Sequence, residues 1–349
     1  MELCEIYNEV NGILECVSFD KLFRGFRKYG FAVYNNDEIC LNGELMPYDE
    51  QFRGNTSIFY KGQRIAIWHC DGREEIDLQT LAYCIVHEMF HAFQQENNET
   101  RFPDDLKMLN APSDYTFYGM KYAENLSLAK AYSDGDKSAL QKFFEIRNSR
   151  IFQFPKAANE ELKAETVEGV AEYIGLLALK SVNVEKFLVQ AENHKSKLLD
   201  KSLLFDARRL SYYSGTIFCL TLNKFGYDIC NDFSGMSLYE QNLIYSQRTA
   251  DEMNFGWVKR AFAENQARAK AKIQSFLAGA EFVECEAEVC GYDPMNMLRL
   301  GDLVLCNHFI LLRTERSTRL YDTPVVLKLK AESDREISGL YISDSGKKR

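Results

Sequence analysis

The sequence lacks the features that mark exported, membrane-bound or nucleic-acid-binding proteins. None of its apolar runs approaches the length of a membrane span, and its first residues, Met1 to Glu5, lack the basic and apolar regions of a signal peptide. Its ten cysteines include no Cys-x-x-Cys pair and follow no disulfide framework. Its net charge of −9 argues against a general nucleic-acid binder, which needs a basic face to neutralise phosphate groups. We therefore expect a cytoplasmic protein with reduced thiols that contacts neither membranes nor nucleic acid.

The composition that is present is that of a folded protein with a substantial core. Hydrophobic residues fill 46% of the 349 positions, enough for one large domain or two smaller ones. Apolar spacings of three and four predict two short helices in the first thirty residues, a helix after Asp77, and a long helical region beyond it. The helices expected there span about residues 125–132, 138–152, 159–180, 184–199, 204–225 and 250–277.

Two stretches of the chain favour β-structure instead. After Gly30, runs rich in β-formers at 31–34, 58–60 and 63–68 indicate a small N-terminal sheet, with Lys61-Gly62 as a hairpin turn. Near residue 280 short alternating runs begin and indicate a second β-region. The strands expected there are 282–289, 298–306, 309–313, 323–329 and 337–342.

These patterns together predict an α+β fold that is mainly helical. We expect a helical domain over residues 1–280, which includes the small N-terminal sheet, and a small β-rich domain over residues 281–349. The last residues, 344–349, are polar and are expected to fray.

The most informative motif lies in the helix predicted after Asp77. His87 and His91 are four residues apart, so on a helix both imidazoles project from one face and can bind one metal ion. Glu88 follows the first histidine, where its carboxylate is placed to take a proton from a metal-activated water. This His-Glu-x-x-His pattern is typical of zinc hydrolases. The alternative is a helix that buries two histidines without a metal.

A catalytic zinc site needs a third protein ligand. No further histidine follows the motif closely, so we expect a carboxylate. The helical segment 165–173 carries Glu165, Glu168 and Glu172 at spacings of three and four, which predicts that all three share one face. Such a row repels itself in solvent but is stabilising when it faces a divalent cation.

Residues Glu168-Gly169-Val170-Ala171-Glu172-Tyr173 resemble the Glu-Gly-x-Ala-x-Tyr segment that presents the third zinc ligand in aminopeptidase-like gluzincins. Together with the His-Glu-x-x-His motif, this segment makes residues 30–225 similar to a gluzincin zinc metallopeptidase with a thermolysin-like core. The gap between the two motifs is longer than in aminopeptidases, which predicts one or two inserted helices. No segment is similar to the one with which exopeptidases grip a free amino terminus.

The resemblance implies a ligand set and a second layer of contacts. It makes Glu168 the third ligand and places Glu172 where it hydrogen-bonds to the first histidine. A carboxylate in that position is also what a metal-bound imidazole needs on its other nitrogen. The carboxylate row itself leaves Glu165 as the alternative ligand. The resemblance further implies that Gly169 lets two helices approach closely.

Four residues after the third-ligand helix are candidates for contacts with substrate. Tyr213, or alternatively Tyr212, is a candidate donor to the carbonyl oxygen that gains charge during hydrolysis. Arg208 and Arg209 are candidate partners for a substrate carboxylate, although an arginine on the surface is the default interpretation.

The hairpin before the motif helix is a candidate binding surface for an extended peptide. Zinc peptidases often align such a peptide along the edge of a strand, and the strand 63–68 has the expected position. His69 lies at its end, where a structural role is favoured over a place in the cleft.

The sequence therefore predicts a peptidase that uses one zinc ion per chain, with Glu88 as general base and a peptide or protein as substrate. Two alternatives remain open. One is a catalytically silent binding or regulatory protein that keeps the peptidase scaffold. The other is a zinc hydrolase of a non-peptide substrate.

Overall fold

The computed structural model describes residues 1–70, 77–249 and 255–343. Two helices, α1 (Leu3–Glu15) and α2 (Phe19–Leu22), open the chain as predicted. The apolar stripe of α1 is buried because its spacing places every member on one face. Its members are Leu3, Ile6, Tyr7, Val10 and Leu14.

The N-terminal sheet has five strands in the order β3-β2-β1-β5-β4. They are β1 (Gly30–Tyr34), β2 (Glu38–Leu41), β3 (Glu44–Pro47), β4 (Thr56–Tyr60) and β5 (Gln63–His69). The predicted hairpin joins β4 to β5 at Lys61 and Gly62, which both have positive φ, as a tight two-residue turn requires. Strand β5 also pairs in parallel with β1, so both of its edges are hydrogen-bonded.

The helical body follows the sheet. It contains α3 (Leu78–Glu96), α4 (Asp105–Leu109), α5 (Tyr115–Asp134), α6 (Lys137–Gln153), α7 (Pro155–Ala164), α8 (Val170–Val182), α9 (Val184–Leu198), α10 (Ala207–Lys224), α11 (Leu238–Gln241) and α12 (Gly256–Leu277). A π-helical turn, Glu165–Gly169, joins α7 to α8 without a break.

Several observed helices differ from the helices predicted from the sequence. Helix α5 is more than twice as long as predicted, α4 was not predicted, and the single helix expected over 159–180 contains the π-helical turn. Three helices, α4 to α6, separate α3 from the continuous helix that carries Glu168, where one or two were expected. The beginning of the helix predicted at 250–277 lies outside the described residues.

The C-terminal sheet has seven antiparallel strands in the order β10-β9-β6-β12-β11-β8-β7. They are β6 (Ala280–Tyr292), β7 (Met297–Leu300), β8 (Leu303–Cys306), β9 (Ile310–Arg313), β10 (Thr318–Tyr321), β11 (Val325–Leu329) and β12 (Glu336–Ser343). The run expected at 298–306 is a hairpin that turns at Gly301, and β10 was not predicted. The tail 344–349 lies outside the described residues.

Helices pack against this C-terminal sheet. Ile273 of α12 packs with Leu305 and Val326, while Leu106 of α4 packs with side chains of another cluster of the sheet, among them Val304. The predicted α+β fold, mainly helical with two small sheets, is therefore confirmed. In the described part of the chain no helix combines the length and apolar content needed to cross a membrane.

Glycines allow the closest helix contacts beneath the site. A Cβ on Gly169 would lie 2.6 Å from the Cα of Gly215, so α10 approaches the π-helical turn backbone to backbone. A Cβ on Gly175 would lie 2.8 Å from the carbonyl oxygen of Tyr83, which gives α8 the same close approach to α3. Because of these contacts, α3 and α10 both pack closely against the helix that contains the π-helical turn.

Candidate metal centre

Helix α3 carries the His-Glu-x-x-His motif into the core. Asp77 caps the helix by accepting a hydrogen bond from the backbone N–H of Gln79, as predicted for this position. One side of α3 packs on β5 and another on α8. His87, Glu88 and His91 are consequently buried.

The two histidines converge with Glu168 of the π-helical turn. His91 Nε2 lies 2.9 Å from His87 Nε2 and 3.0 Å from Glu168 Oε2, while His87 Nε2 lies 3.5 Å from the same oxygen. Ligand atoms on a tetrahedral zinc ion, with bonds of about 2.0–2.2 Å, are about 3.4 Å apart. The longest separation matches this value and the other two are about 0.4–0.5 Å shorter, so a small outward movement of the side chains would admit a metal ion. Within the described residues, this is the one cluster of three or more such side chains that can hold one.

The proton positions also favour a cation at this point. His87 Nδ1 lies 2.8 Å from Glu172 Oε2, and His91 Nδ1 lies 2.7 Å from Gln94 Oε1, so each Nδ1 carries a donated hydrogen. Both Nε2 lone pairs then face one carboxylate oxygen and each other. Burial alone lowers the pKa of His87, but hydrogen bonds to Glu168 and Glu172 outweigh it and raise that pKa. The negative charge that raises this pKa also favours a bound cation, for which a metal ion competes with the proton.

Glu172 takes the position expected of a second-layer carboxylate. Besides accepting from His87, it accepts from His194 Nε2 through Oε1 at 2.8 Å. His194 Nδ1 lies 2.7 Å from the carbonyl oxygen of Gln190, so both ring nitrogens face acceptors. Burial alone would lower the pKa of His194, but the hydrogen bond to Glu172 outweighs burial and raises it. Burial by itself would raise the pKa of Glu172, but these two histidines lower it. No sequence pattern links His194 to the motif, and it was not predicted.

Gln94 orients the second histidine, as Glu172 orients the first. Its Oε1 accepts from His91 Nδ1, and its Nε2 donates to the carbonyl oxygen of Val167 at 3.0 Å. The side chain is fully buried and joins α3 to the π-helical turn. The sequence contained a signal for this contact, because residues three apart on a helix are neighbours.

Glu165 is not among the converging ligands, and the three glutamates do not share one face. Its Oε2 lies 2.6 Å from Arg147 Nη1, and Lys121 Nζ lies 3.3 Å from Oε1. The extra residue in the π-helical turn changes the direction of side chains before and after it. Glu168 and Glu172 therefore reach the histidines, while Glu165 enters a buried ion network.

Of the two tyrosine candidates, Tyr212 lies closer to the cluster. Its ring is parallel to that of His87, with centroids 5.9 Å apart, whereas Tyr213 packs edge-on against His194 at 5.4 Å. Burial, followed by the charge of Glu168, raises the pKa of Tyr212. The order of preference between these tyrosines is thus reversed.

Arg208 is also part of the cluster, contrary to the default interpretation of a surface arginine. Its Nη2 lies 2.6 Å from Glu168 Oε1, and only 14% of its side chain is exposed. Arg209 is more exposed and donates to Asp206 and to the carbonyl oxygen of Met295.

Glu88 is buried beside the histidines. Burial raises the pKa of its carboxyl group, while the positive charges of His87 and His91 lower it, and the net direction is upward. A carboxylate with a raised pKa accepts protons more readily, which suits a general base.

The strand expected to bind substrate is not at the edge of its sheet. Because β5 pairs with β1 and β4, the outermost strand beside it is β4. The ring of His69 packs edge-on against Tyr34 with centroids 5.1 Å apart, in keeping with the favoured structural role.

A cavity of about 300 Å³ adjoins the second layer of the cluster. Glu172, His194, Tyr212 and Tyr213 contribute to its walls, and so does Met295 from the loop between β6 and β7. None of the three converging ligands lines it.

Comparison of the chain with protein families, with curated proteins and with solved structures finds no significant match.

Proposed function

We propose that the protein is a cytoplasmic zinc metallopeptidase of the gluzincin type. The observation that carries this proposal is the convergence of His87 Nε2, His91 Nε2 and Glu168 Oε2, with Glu88 buried next to them. Two imidazoles and one carboxylate are the ligand set of catalytic zinc sites, which leave a fourth position open. Softer ions favour thiolates, and the cluster contains none.

The residues divide the work of peptide hydrolysis. A zinc ion held by this set would supply a water of lowered pKa and polarise a carbonyl group. Glu88 takes the proton of the attacking water and passes it to the leaving amine. Glu172 and Gln94 fix the two imidazoles so that each presents Nε2. Tyr212 replaces Tyr213 as the preferred hydroxyl donor to the carbonyl oxygen.

A peptide substrate is supported by the position of β4. This strand is the outer strand of the sheet that packs on α3, and the outer edge of such a strand can pair with an extended chain. Phe59 in β4 is 61% exposed and offers an apolar contact for a substrate side chain.

The burial of the cluster favours a second candidate function. His87, Glu88, His91 and Glu168 are each more than nine-tenths buried. A metal held so deeply also suits a catalytically silent protein that keeps the scaffold for binding.

Metal analysis combined with two substitutions tests the proposal. We expect about one zinc per purified wild-type chain, loss of zinc in His87→Ala, and retention of zinc in the control His308→Ala, whose side chain is 63% exposed. Glu88→Gln should keep zinc and abolish cleavage of a peptide library. A metal-free wild type would refute the site, and a zinc-loaded wild type without turnover would favour the silent scaffold.

A further inference from the structure

Arg208 lies one hydrogen bond from the carboxylate that would hold the metal. Its Nη2 donates to Glu168 Oε1, the oxygen that does not face the histidines. Arg208 and Tyr212 are one turn apart on α10, and the guanidinium lies 5.6 Å from the tyrosine ring. Tyr212 in turn stacks on His87, so the cation is fixed beside the cluster.

The rest of the guanidinium has donors without acceptors. Nε and Nη1 of Arg208 are both buried and make no hydrogen bond. Asp105 Oδ1 lies 3.3 Å from Nε, yet it is also unsatisfied, so the pair is in ionic contact without hydrogen-bond geometry. Buried donors of this kind are rare in proteins. Of the seven buried side-chain atoms without a partner in the described residues, three belong to Arg208 and Asp105.

This arrangement suits a guanidinium that donates a hydrogen bond to a bound molecule. An arginine keeps its positive charge at any working pH, and its planar fork lets one edge bind a protein carboxylate while another donor remains available. Arg209, its neighbour, differs in this respect because Nη1 pairs with Asp206 and Nη2 donates to Met295. The missing acceptor at Arg208 should therefore come from a bound molecule beside the metal ligands.

We propose that Arg208 is a catalytic residue that donates a hydrogen bond from Nη1 to the carbonyl oxygen of the scissile bond. This inference rests on the proposed peptidase function. As water attacks, its oxygen forms a bond to the carbonyl carbon, the carbonyl π electrons move to the oxygen, and Glu88 takes the proton of the water. The C–N bond then breaks, the carbonyl re-forms, and the proton goes to the amine. Arg208 keeps its protons throughout and stabilises the transient negative charge.

The charge of Arg208 distinguishes it from Tyr212 as a donor. Hydrogen bonds from a charged donor to a developing oxyanion are stronger than those from a neutral hydroxyl. Donors of this kind, when preorganised in a water-poor site, raise kcat by about 10²–10³-fold. Here Glu168 and Tyr212 supply the preorganisation.

Activity measurements on the zinc-loaded full chain give the first test. Arg208→Met should keep zinc and lower kcat for a peptide substrate by about 10²–10³-fold, with KM changed only slightly. The control is Arg335→Met, which removes a comparable arginine contact, 3.2 Å from Asp104, and should leave kcat unchanged. Arg208→Lys keeps the charge without the fork and should fall between wild type and Arg208→Met.

Binding of inorganic phosphate to the cobalt-substituted protein gives a test that needs no turnover. Phosphate supplies anionic oxygens beside the metal, and the visible absorption of cobalt reports its binding. Loss of a charged donor should weaken this binding at least about tenfold in Arg208→Met and not in Arg335→Met.

Three results would overturn the role of Arg208. They are an unchanged kcat in Arg208→Met, a rise in KM confined to peptides with a free carboxyl terminus, and loss of the metal itself, which would make Arg208 a positioning residue. If the wild type binds cobalt but cleaves no peptide, the peptidase proposal fails, and with it the catalytic role. Phosphate binding would then still show whether Arg208 serves as a donor to metal-associated anions.

Discussion

His194 donates a hydrogen bond from Nε2 to Oε1 of Glu172 across 2.8 Å, although the two residues are on different helices. The other oxygen of Glu172 accepts from His87, so a chain of three side chains leads from the candidate metal-binding atoms to the backbone of α9. A contact at this distance from the metal acts by fixing the orientation and basicity of the ligand. Loss of this hydrogen bond should therefore weaken metal binding more than it lowers the stability of the fold.

We expect His194→Leu to weaken zinc binding by about 10- to 100-fold, because Glu172 loses one of the two donors that hold it against His87. Competition with a chromophoric chelator measures the change. Glu192→Gln, on the same helix with a side chain that is 61% exposed, is the control and should bind zinc like the wild type. Equal affinities in the two variants would contradict the role given to His194.

Gln94→Leu should both weaken zinc binding and lower stability. The substitution leaves the donor of His91 Nδ1 and the carbonyl oxygen of Val167 without partners in a buried site. Each unsatisfied buried group costs about 1–3 kcal/mol. Urea unfolding measures the loss of stability, and the same chelator competition measures affinity. A variant as stable as the wild type would show that water replaces the amide.

Arg147→Met should destabilise the protein by about 3–5 kcal/mol, because it leaves Glu165 and Glu124 as buried charges with too few partners. The control is Arg27→Met, which removes an exposed ion pair with Glu96 and should cost at most about 1 kcal/mol. Chemical unfolding of both variants gives the comparison. Similar losses of stability in Arg147→Met and Arg27→Met would mean that the buried ion network contributes no more than an exposed ion pair.

Acid should destabilise the protein through Glu124. Burial alone would raise the pKa of this carboxyl group, but Arg147 and Arg150 outweigh burial and lower it from 4.5 to about 2. Because the folded pKa lies below the unfolded one, this contribution is fully present above about pH 4.5 and is lost as the pH falls towards 2. Urea unfolding at pH 5, 4 and 3 should show stability decreasing at each step, with a smaller decrease in Glu124→Gln. A flat profile in the wild type would refute the assignment.

Gly215→Ala should cost about 1–3 kcal/mol by overpacking, because its Cβ would lie 2.7 Å from the carbonyl oxygen of Glu165 and 2.8 Å from the Cα of Gly169. Gly12→Ala has open space around its Cβ in α1 and should instead stabilise the protein by about 0.5–1 kcal/mol. Thermal unfolding of the pair checks both signs. Two changes of the same sign would contradict the close approach of α10 to the π-helical turn.

Local features of the structure were accessible from sequence. The cap at Asp77, the spacing of His87 and His91 and the apolar stripe of α3 all follow from short-range periodicity, which the fold preserves. The same argument failed at Glu165, because fixed spacings assume an α-helix and the π-helical turn has an extra residue. The residue spacing that predicted this helix could not predict the ion pair between Glu165 and Arg147, because Arg147 lies on another helix.

Contacts between distant parts of the chain were not accessible. Arg208 reaches Glu168 across 40 residues, and the backbone pattern of α10 is the same for a surface or a buried arginine. The hairpin of β4 and β5 was predicted from its turn, but the parallel pairing of β5 with β1 depends on how the chain returns to the sheet. Tertiary placement therefore decided which strand lies at the edge and which arginine enters the site.

The hydrogen bond from Arg209 to Met295 ties helix α10 to the loop between β6 and β7. Met295 also lines the cavity that Glu172 and Tyr212 line from the helical side. The secondary structure thus changes from helices to strands near residue 280, but residues from both regions line the cavity. A fragment trimmed to the helices would lose one wall of that cavity, so the two parts should be engineered as one unit.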